Sequence, residues 1–182
     1  CFRSCMIKVY TIKGKNIFPV FKNGRSSVMA YSKDNYIKPL INAQINRVDT
    51  VTMYLRDPKE RFTTGVHSFI EFEKRKTKVD YDTALHFIAS HGLTNEHFEP
   101  QFNWVKRLAT HFEGNLELLS VSDLLLHINY RNRPGIPEIT QEQRNKINKI
   151  QPRHTVDQLL MEHIGSVLPI RSIIARVNDA LS

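Results

Sequence analysis

From Ile7 to Ile12 the chain alternates apolar and polar positions, the signature of a half-buried strand, and Gly14-Lys15-Asn16 breaks the pattern. Ile17 to Phe21 is apolar and β-prone, so it predicts a second strand, paired with the first as a hairpin. Pro19 has no N–H to give a ladder, which places a sheet edge, or only the strand's first half, at that point. Asn23-Gly24 ends the segment, and Arg25 to Lys33 is compatible with a helix. Val51 to Leu55 reads as a buried strand, and Asp57-Pro58 directly after it is a cap and first-turn pair for a helix reaching about Lys74.

Farther on, Tyr81, Leu85 and Ile88 give helical spacing over 80–91, with Gly92 placed to stop the helix. Leu116 to Val121 predicts another strand, and Ser122 or Asp123 then starts a helix carrying Leu124, Leu125 and Ile128. Arg133-Pro134-Gly135-Ile136-Pro137 reads as a loop. Apolar stripes through Leu159, Leu160, Ile164, Ile173, Ile174 and Val177 predict helices near 154–165 and 169–181, after one near 140–150. Strands alternating with helices over such short connections predict an α/β sandwich with a largely parallel sheet. The chain shows no internal repeat and no domain boundary. Residues 6–182 are expected to form one domain, with residues 1–5 a cloning remnant or an extension ahead of a start at Met6.

Composition removes whole classes. The 182 residues are 41% apolar and 24% charged with only 7 Gly and 8 Pro, which argues against disorder and fibrous repeats. No apolar run approaches the roughly 18 residues of a spanning helix. The only cysteines, Cys1 and Cys5, could pair as a terminal disulfide or weak metal site, but no further Cys or nearby His completes a ligand set, and the lack of cysteines after Met6 fits a reducing, cytoplasmic setting. Charge changes the picture most. Lys and Arg number 26 against 18 Asp and Glu, and residues 1–91 hold 16 of the former and 8 of the latter, so the whole excess sits in the N-terminal half. A basic field confined to one half favours an anionic partner.

Two segments carry the candidate chemistry. In the first, Phe18 to Val28, a strand runs through Lys22-Asn23-Gly24 into a helix that begins Arg25-Ser26-Ser27. Backbone N–H groups at a helix N-terminus and the helix dipole favour a phosphate, and Lys22 and Arg25 add cations; a plain surface turn is the competing account. The order of residues is not the Walker pattern GxxxxGK[ST], since the lysine precedes the glycine. In the second, Arg56 leaves the carboxyl end of a strand, where ligands of open α/β sheets bind, and Thr64 follows two turns into the next helix. Asp57 is a natural cap there, with Arg61 an ion-pair partner for Glu60 or Asp57.

Taken together, FKNGRSSV and YLRDPKERFTTGVHSF resemble the two cofactor signatures of the sulfotransferases that use 3′-phosphoadenosine 5′-phosphosulfate (PAPS), in particular the carbohydrate-sulfating branch. The stretch Asn95-Glu96-His97-Phe98-Glu99-Pro100-Gln101 is similar to a His-Trp/Phe-x-Pro-Gln stretch of that branch, and the likeness spans about residues 17–130. It implies a three-layer α/β sandwich with a small, mostly parallel sheet and a P-loop-like sulfotransferase fold. It implies that Lys22, Asn23, Gly24, Arg25, Ser26 and Ser27 hold the 5′-phosphosulfate and that Arg56 and Thr64 hold the 3′-phosphate, Thr64 standing where the family usually has Ser. The implied reaction passes a sulfuryl group from PAPS to a hydroxyl or amine of a small-molecule or carbohydrate acceptor, releasing adenosine 3′,5′-bisphosphate, with no metal. The cysteines of secreted members and any anchor are missing, which implies a minimal cytoplasmic member of microbial or viral type, without a membrane partner.

Transfer to an acceptor needs a cation at the bridging oxygen, the role of Lys22, and a base for the acceptor's proton. His97 is the first candidate for that base, with His67 and Asp34 as the others. Phe102 and Trp104 are candidates for stacking on adenine or sugar, against a core role. The competing functions are a basic binder of nucleic acid or another polyanion, an inactive sulfotransferase relative, and a phosphotransferase or other nucleotide hydrolase, the last disfavoured by the absent Walker lysine position. Nucleic acid is disfavoured as a partner because RDPKER mixes acidic residues into the basic run.

Overall fold

The apolar run Thr50–Leu55 forms a central strand of six residues, and every side chain from Val51 to Leu55 is buried because helices cover both of its faces. The structure, a computed structural model, describes residues 6–91, 95–130 and 135–182; Cys1, Cys5, Gly92, Arg133 and Pro134 lie outside the described residues. The first elements are strands β1 (Lys8–Ile12) and β2 (Lys15–Ile17), helix α1 (Arg25–Asp34), strand β3 (Leu40–Ile41), a 3-10 turn at Asn42–Arg47, strand β4 (Thr50–Leu55) and helix α2 (Pro58–Thr77). Helices α3 (Tyr81–His91) and α4 (Gln101–Ala109), strand β5 (Asn115–Ser120) and helices α5 (Val121–Ile128), α6 (Gln141–Asn148) and α7 (Thr155–Met161) follow. Strand β6 (Val167–Pro169) and helix α8 (Ile170–Leu181) complete the order.

The strands form one sheet in the order β3-β1-β2-β4-β5-β6. β2, β4 and β5 run parallel, Ile17 lying opposite Thr52 and Val51 opposite Leu116. The β1–β2, β1–β3 and β5–β6 pairs are antiparallel. The mostly parallel sheet expected from the sequence is therefore corrected to a mixed one with a parallel centre. The cause at one edge is the turn Lys13-Gly14, with φ of 47° and 82°, which reverses the chain in two residues and leaves no room for a crossover.

The second strand is also shorter than the Ile17 to Phe21 expected. Phe18 N–H still donates to Thr52 carbonyl oxygen at 3.0 Å, but Pro19 has no N–H and the ladder ends. Alternation along the strands divides the core. Tyr10, Ile12, Ile17 and Tyr54 face Val28 of α1 and Leu124 and Ile128 of α5. Val9, Val51, Met53, Leu116 and Leu118 face Val105 and Leu108 of α4, Leu160 of α7 and Ile173 and Val177 of α8. Helices thus cover both faces of the sheet. A third cluster joins Phe62, Val66 and Ile70 of α2 to Leu85 and Ile88 of α3 and Ile147 of α6. Among the described residues no helix is long and apolar enough to cross a membrane.

Candidate functional site

The carboxyl ends of the three parallel strands share one edge of the sheet, and the segments that leave them line a cavity of about 810 Å³. Lys22, Gly24, Arg25, Ser26 and Ser27 come from the segment after β2, Arg56 and Thr64 from the segment after β4, and Val121 and Leu125 from the helix after β5. His97 closes the same cavity from the turn before α4. The sequence-predicted residues are thus brought together, with one exception. Asn23 is buried beneath the loop, and its Nδ2 donates to the Tyr54 carbonyl at 2.8 Å and to Gln101 Oε1 at 2.5 Å.

The loop's shape is set by left-handed backbone. Lys22 stands at φ 67°, a conformation unusual for a residue with a Cβ and found where surrounding bonds enforce it. Gly24, at φ 80°, is the N-cap of α1, and it supplies no side chain to bond the first-turn N–H groups. Val28 N–H reaches back to the Gly24 carbonyl at 3.1 Å. The Arg25 guanidinium lies over the Phe21 ring at 4.3 Å, a cation–π contact that holds it at the mouth of the loop.

Two arginines from beyond β4 enforce that conformation. Arg56 NH1 donates to the Lys22 carbonyl at 3.2 Å and to Thr64 Oγ1 at 3.4 Å, while its NH2 approaches Glu60 at 3.8 Å. Arg61 is only 2% exposed. Its Nε donates to the Phe21 carbonyl at 3.0 Å, and its NH1 donates to the Glu99 carbonyl. The expected ion pair of Arg61 with Glu60 or Asp57 is therefore corrected. Asp57 spends its carboxylate on the Glu60 N–H at 2.9 Å as the α2 cap, and Glu60 pairs with Arg144 at 2.8 Å. Arg61 instead ties the Lys22 loop to the His97 turn.

Gln101, the last residue of the Asn95–Gln101 stretch, couples the two loops. Fully buried, it accepts from Arg56 N–H at 3.0 Å and donates to the Arg56 carbonyl at 2.8 Å while holding Asn23. Its own N–H and that of Phe102 are capped by Asp157 at 2.8 and 3.0 Å. Ser68, one turn beyond Thr64, and the carboxylate-bearing Glu138 also line the cavity; no local motif marks either.

Electrostatics follow from this burial. Desolvation, with repulsion from Arg56 and Arg61, brings the Lys22 ammonium down to about 8. Burial, then the cations of Lys22, Arg25 and Arg61, push His97 down to about 4, so its ring is uncharged at neutral pH. Burial lowers Arg56 as well. A cluster of desolvated cations that repel one another is stabilised by a bound anion.

The other base candidates lie elsewhere. His67 is buried on another side of α2, with Nδ1 at 3.1 Å from Tyr81 Oη and Nε2 at 2.8 Å from the Pro137 carbonyl. Asp34, at the far end of α1, accepts from Tyr130 Oη at 3.0 Å. Phe102 is core, whereas Trp104 serves both the core and a second cavity. Among the described residues no group of three His, Cys, Asp or Glu side chains could hold a metal. Compared with family models, curated proteins and solved structures, the chain matches none.

Proposed function

We propose that this chain is a sulfotransferase that moves a sulfuryl group from PAPS to an acceptor hydroxyl or amine. One observation carries the reading: the lysine-bearing loop and the arginine-bearing helix start line one cavity and are in contact, through the hydrogen bond from Arg56 to the Lys22 carbonyl. A nucleotide with phosphates on both its 3′ and 5′ positions needs two cationic corners within reach of each other, and the chemistry of the lining fits that group. Lys22, Arg25 and the α1 N-terminus would hold the 5′ end; Arg56, Thr64 and Ser68 the 3′-phosphate.

In the transfer, an acceptor oxygen forms a bond to sulfur while the bond from sulfur to the bridging phosphate oxygen breaks. That oxygen keeps the electron pair, and the acceptor's proton passes to a base. Lys22, protonated below about 8, stabilises the charge that grows on the leaving oxygen. His97 lines the cavity and is uncharged at neutral pH, whereas His67 and Asp34 lie elsewhere and are already hydrogen-bonded, so His97 is the proton acceptor of this reading. A discrete cavity also favours a compact ligand over a long polyanion, which would need an extended basic face.

A thermal-shift titration with adenosine 3′,5′-bisphosphate, without added metal, tests the reading. Wild type should be stabilised in proportion to ligand excess, and Lys22→Ala and Arg56→Ala should lose most of the response. A flat wild-type response at millimolar ligand, or a larger response to AMP or RNA, would sink it.

A further inference from the structure

A second cavity, of about 400 Å³, adjoins the first and shares Phe21 and Arg25 with it. Its lining differs in kind. The rings of Tyr10, Phe18, Phe21 and Trp104 and the thioethers of Met6 and Met29 supply half of it, and the charged Lys8, Arg25, Glu96 and Arg107 also reach it. Phe21 stands between the two spaces, with its ring centroid 5.4 Å from Trp104 and 5.1 Å from His97. The seam between the cavities is therefore also where the candidate base and the Lys22 loop meet.

Trp104 is 7% exposed, and its buried Nε1–H has no hydrogen-bond acceptor. That N–H is itself shut off from the cavity, so what Trp104 offers a ligand is the face and edge of its ring. Arg107 lies over the Trp104 ring at 4.7 Å and is itself ion-paired with Glu99, so its charge is already answered. Sugars need many directed polar partners. This lining is largely ring, aliphatic and thioether surface; of its charged members Arg25 lies against the Phe21 ring and Arg107 against Trp104, with Lys8 and Glu96 beside them, which suits a flat apolar ring with one polar end.

We propose that this second cavity is the acceptor site and takes an aryl alcohol, an apolar aromatic ring whose hydroxyl sits at the Phe21 seam. The acceptor role rests on the sulfotransferase reading, whereas ring binding does not. Trp104 is the chain's only tryptophan, so all tryptophan emission comes from the wall of this cavity.

Wild type titrated with 4-methylphenol should show a saturable change in tryptophan emission, and methyl glucoside should show none. Met29→Phe, which adds bulk from α1, should abolish the phenol response while leaving stabilisation by adenosine 3′,5′-bisphosphate unchanged, proof that the variant is folded. Trp104→Phe, followed by ligand-observed NMR, should weaken phenol binding about three- to tenfold through loss of part of the ring surface it packs against. No saturable change in wild type, preference for the glucoside, or equal phenol binding by Met29→Phe would overturn the proposal. If the bisphosphate binds and phenol does not, only the acceptor assignment falls. If phenol binds and the bisphosphate does not, the sulfotransferase reading and the acceptor role fall together.

Discussion

Binding of a doubly phosphorylated nucleotide should pull a proton onto Lys22. Free, the ammonium is held down to about 8 by burial and by Arg56 and Arg61. An anion placed against it adds an attraction that outweighs burial and the repulsion of the two arginines, and raises it toward the ordinary lysine value of about 10.4. The folded protein with ligand therefore binds a proton that the free protein has partly released. Near pH 7.5 the uptake is about a quarter of a proton, and near pH 8.5 it is about three quarters, by the usual titration relation. This window avoids the ligand's own phosphates, whose second ionisation lies near 6, and His97, which titrates at about 4. Calorimetric titration with adenosine 3′,5′-bisphosphate in buffers of different ionisation enthalpy measures the uptake as the slope of apparent enthalpy against buffer enthalpy. Lys22→Met should bind more weakly with no pH-dependent uptake. A wild-type slope near zero at both pH values, net proton release, or an uptake that survives in Lys22→Met would refute the placement of Lys22 against the anion.

Arg61→Met should cost about 2–5 kcal/mol in urea unfolding, because the buried carbonyls of Phe21 and Glu99 lose their donor; a change below about 0.5 kcal/mol would show that water or other groups replace it. Gly65→Ala should destabilise the fold by about 1–3 kcal/mol and weaken nucleotide binding, since the new Cβ would stand 2.1 Å from the His97 carbonyl oxygen and one of the two backbones must move. His97 also sets a pH dependence: its folded value lies below the unfolded one, so the stability it contributes is complete above about 6.5 and falls as pH drops toward about 4. His97→Asn should flatten that acid limb in pH-dependent unfolding measurements, and an unchanged limb would assign it to other groups, His154 among them.

Where structure follows from local signals, it was legible. The alternation of Ile7 to Ile12, the Asp57-Pro58 start of α2 and the glycine turn before α1 each encode their element within a few residues. Helix α4 was not legible, because its N-terminal N–H groups are capped by Asp157, more than fifty residues away, and Pro100 precedes it without a capping side chain. Strand β6 has three residues, two of them exposed, so it carries no hydrophobic pattern; its pairing with β5 makes it a strand. The start of α5 fell earlier than expected, since Ser120 rather than Ser122 or Asp123 is its cap. The Lys22–Ser27 segment and the Arg56 and Thr64 pair were readable from their places after the strands, His97 only from the resemblance, and Ser68 and Glu138 not at all. The roles of Arg61 and Gln101 were not, because both act on backbone groups supplied by distant segments.

The mixed sheet explains why the site lies where it does. Parallel neighbours send their carboxyl ends to one edge, and adjacent strands stand only about 4.8 Å apart, so the loops after β2 and β4 must meet. Antiparallel β1 and β6 send their carboxyl ends to the opposite edge and cannot contribute there. What remains to be fixed is the gap between the two cationic corners, and one carboxamide fixes it. Gln101 Oε1 receives both Asn23 of the first loop and Arg56 N–H of the second, while its Nε2 returns a bond to the Arg56 carbonyl. Glutamate at this position would keep the acceptor and lose the donor, and would add a buried charge beside Arg56. The neutral amide therefore serves two ends at once: it leaves the charge of Lys22 and Arg56 for an incoming anion, and it holds their backbones at a spacing that no flexible surface loop could maintain.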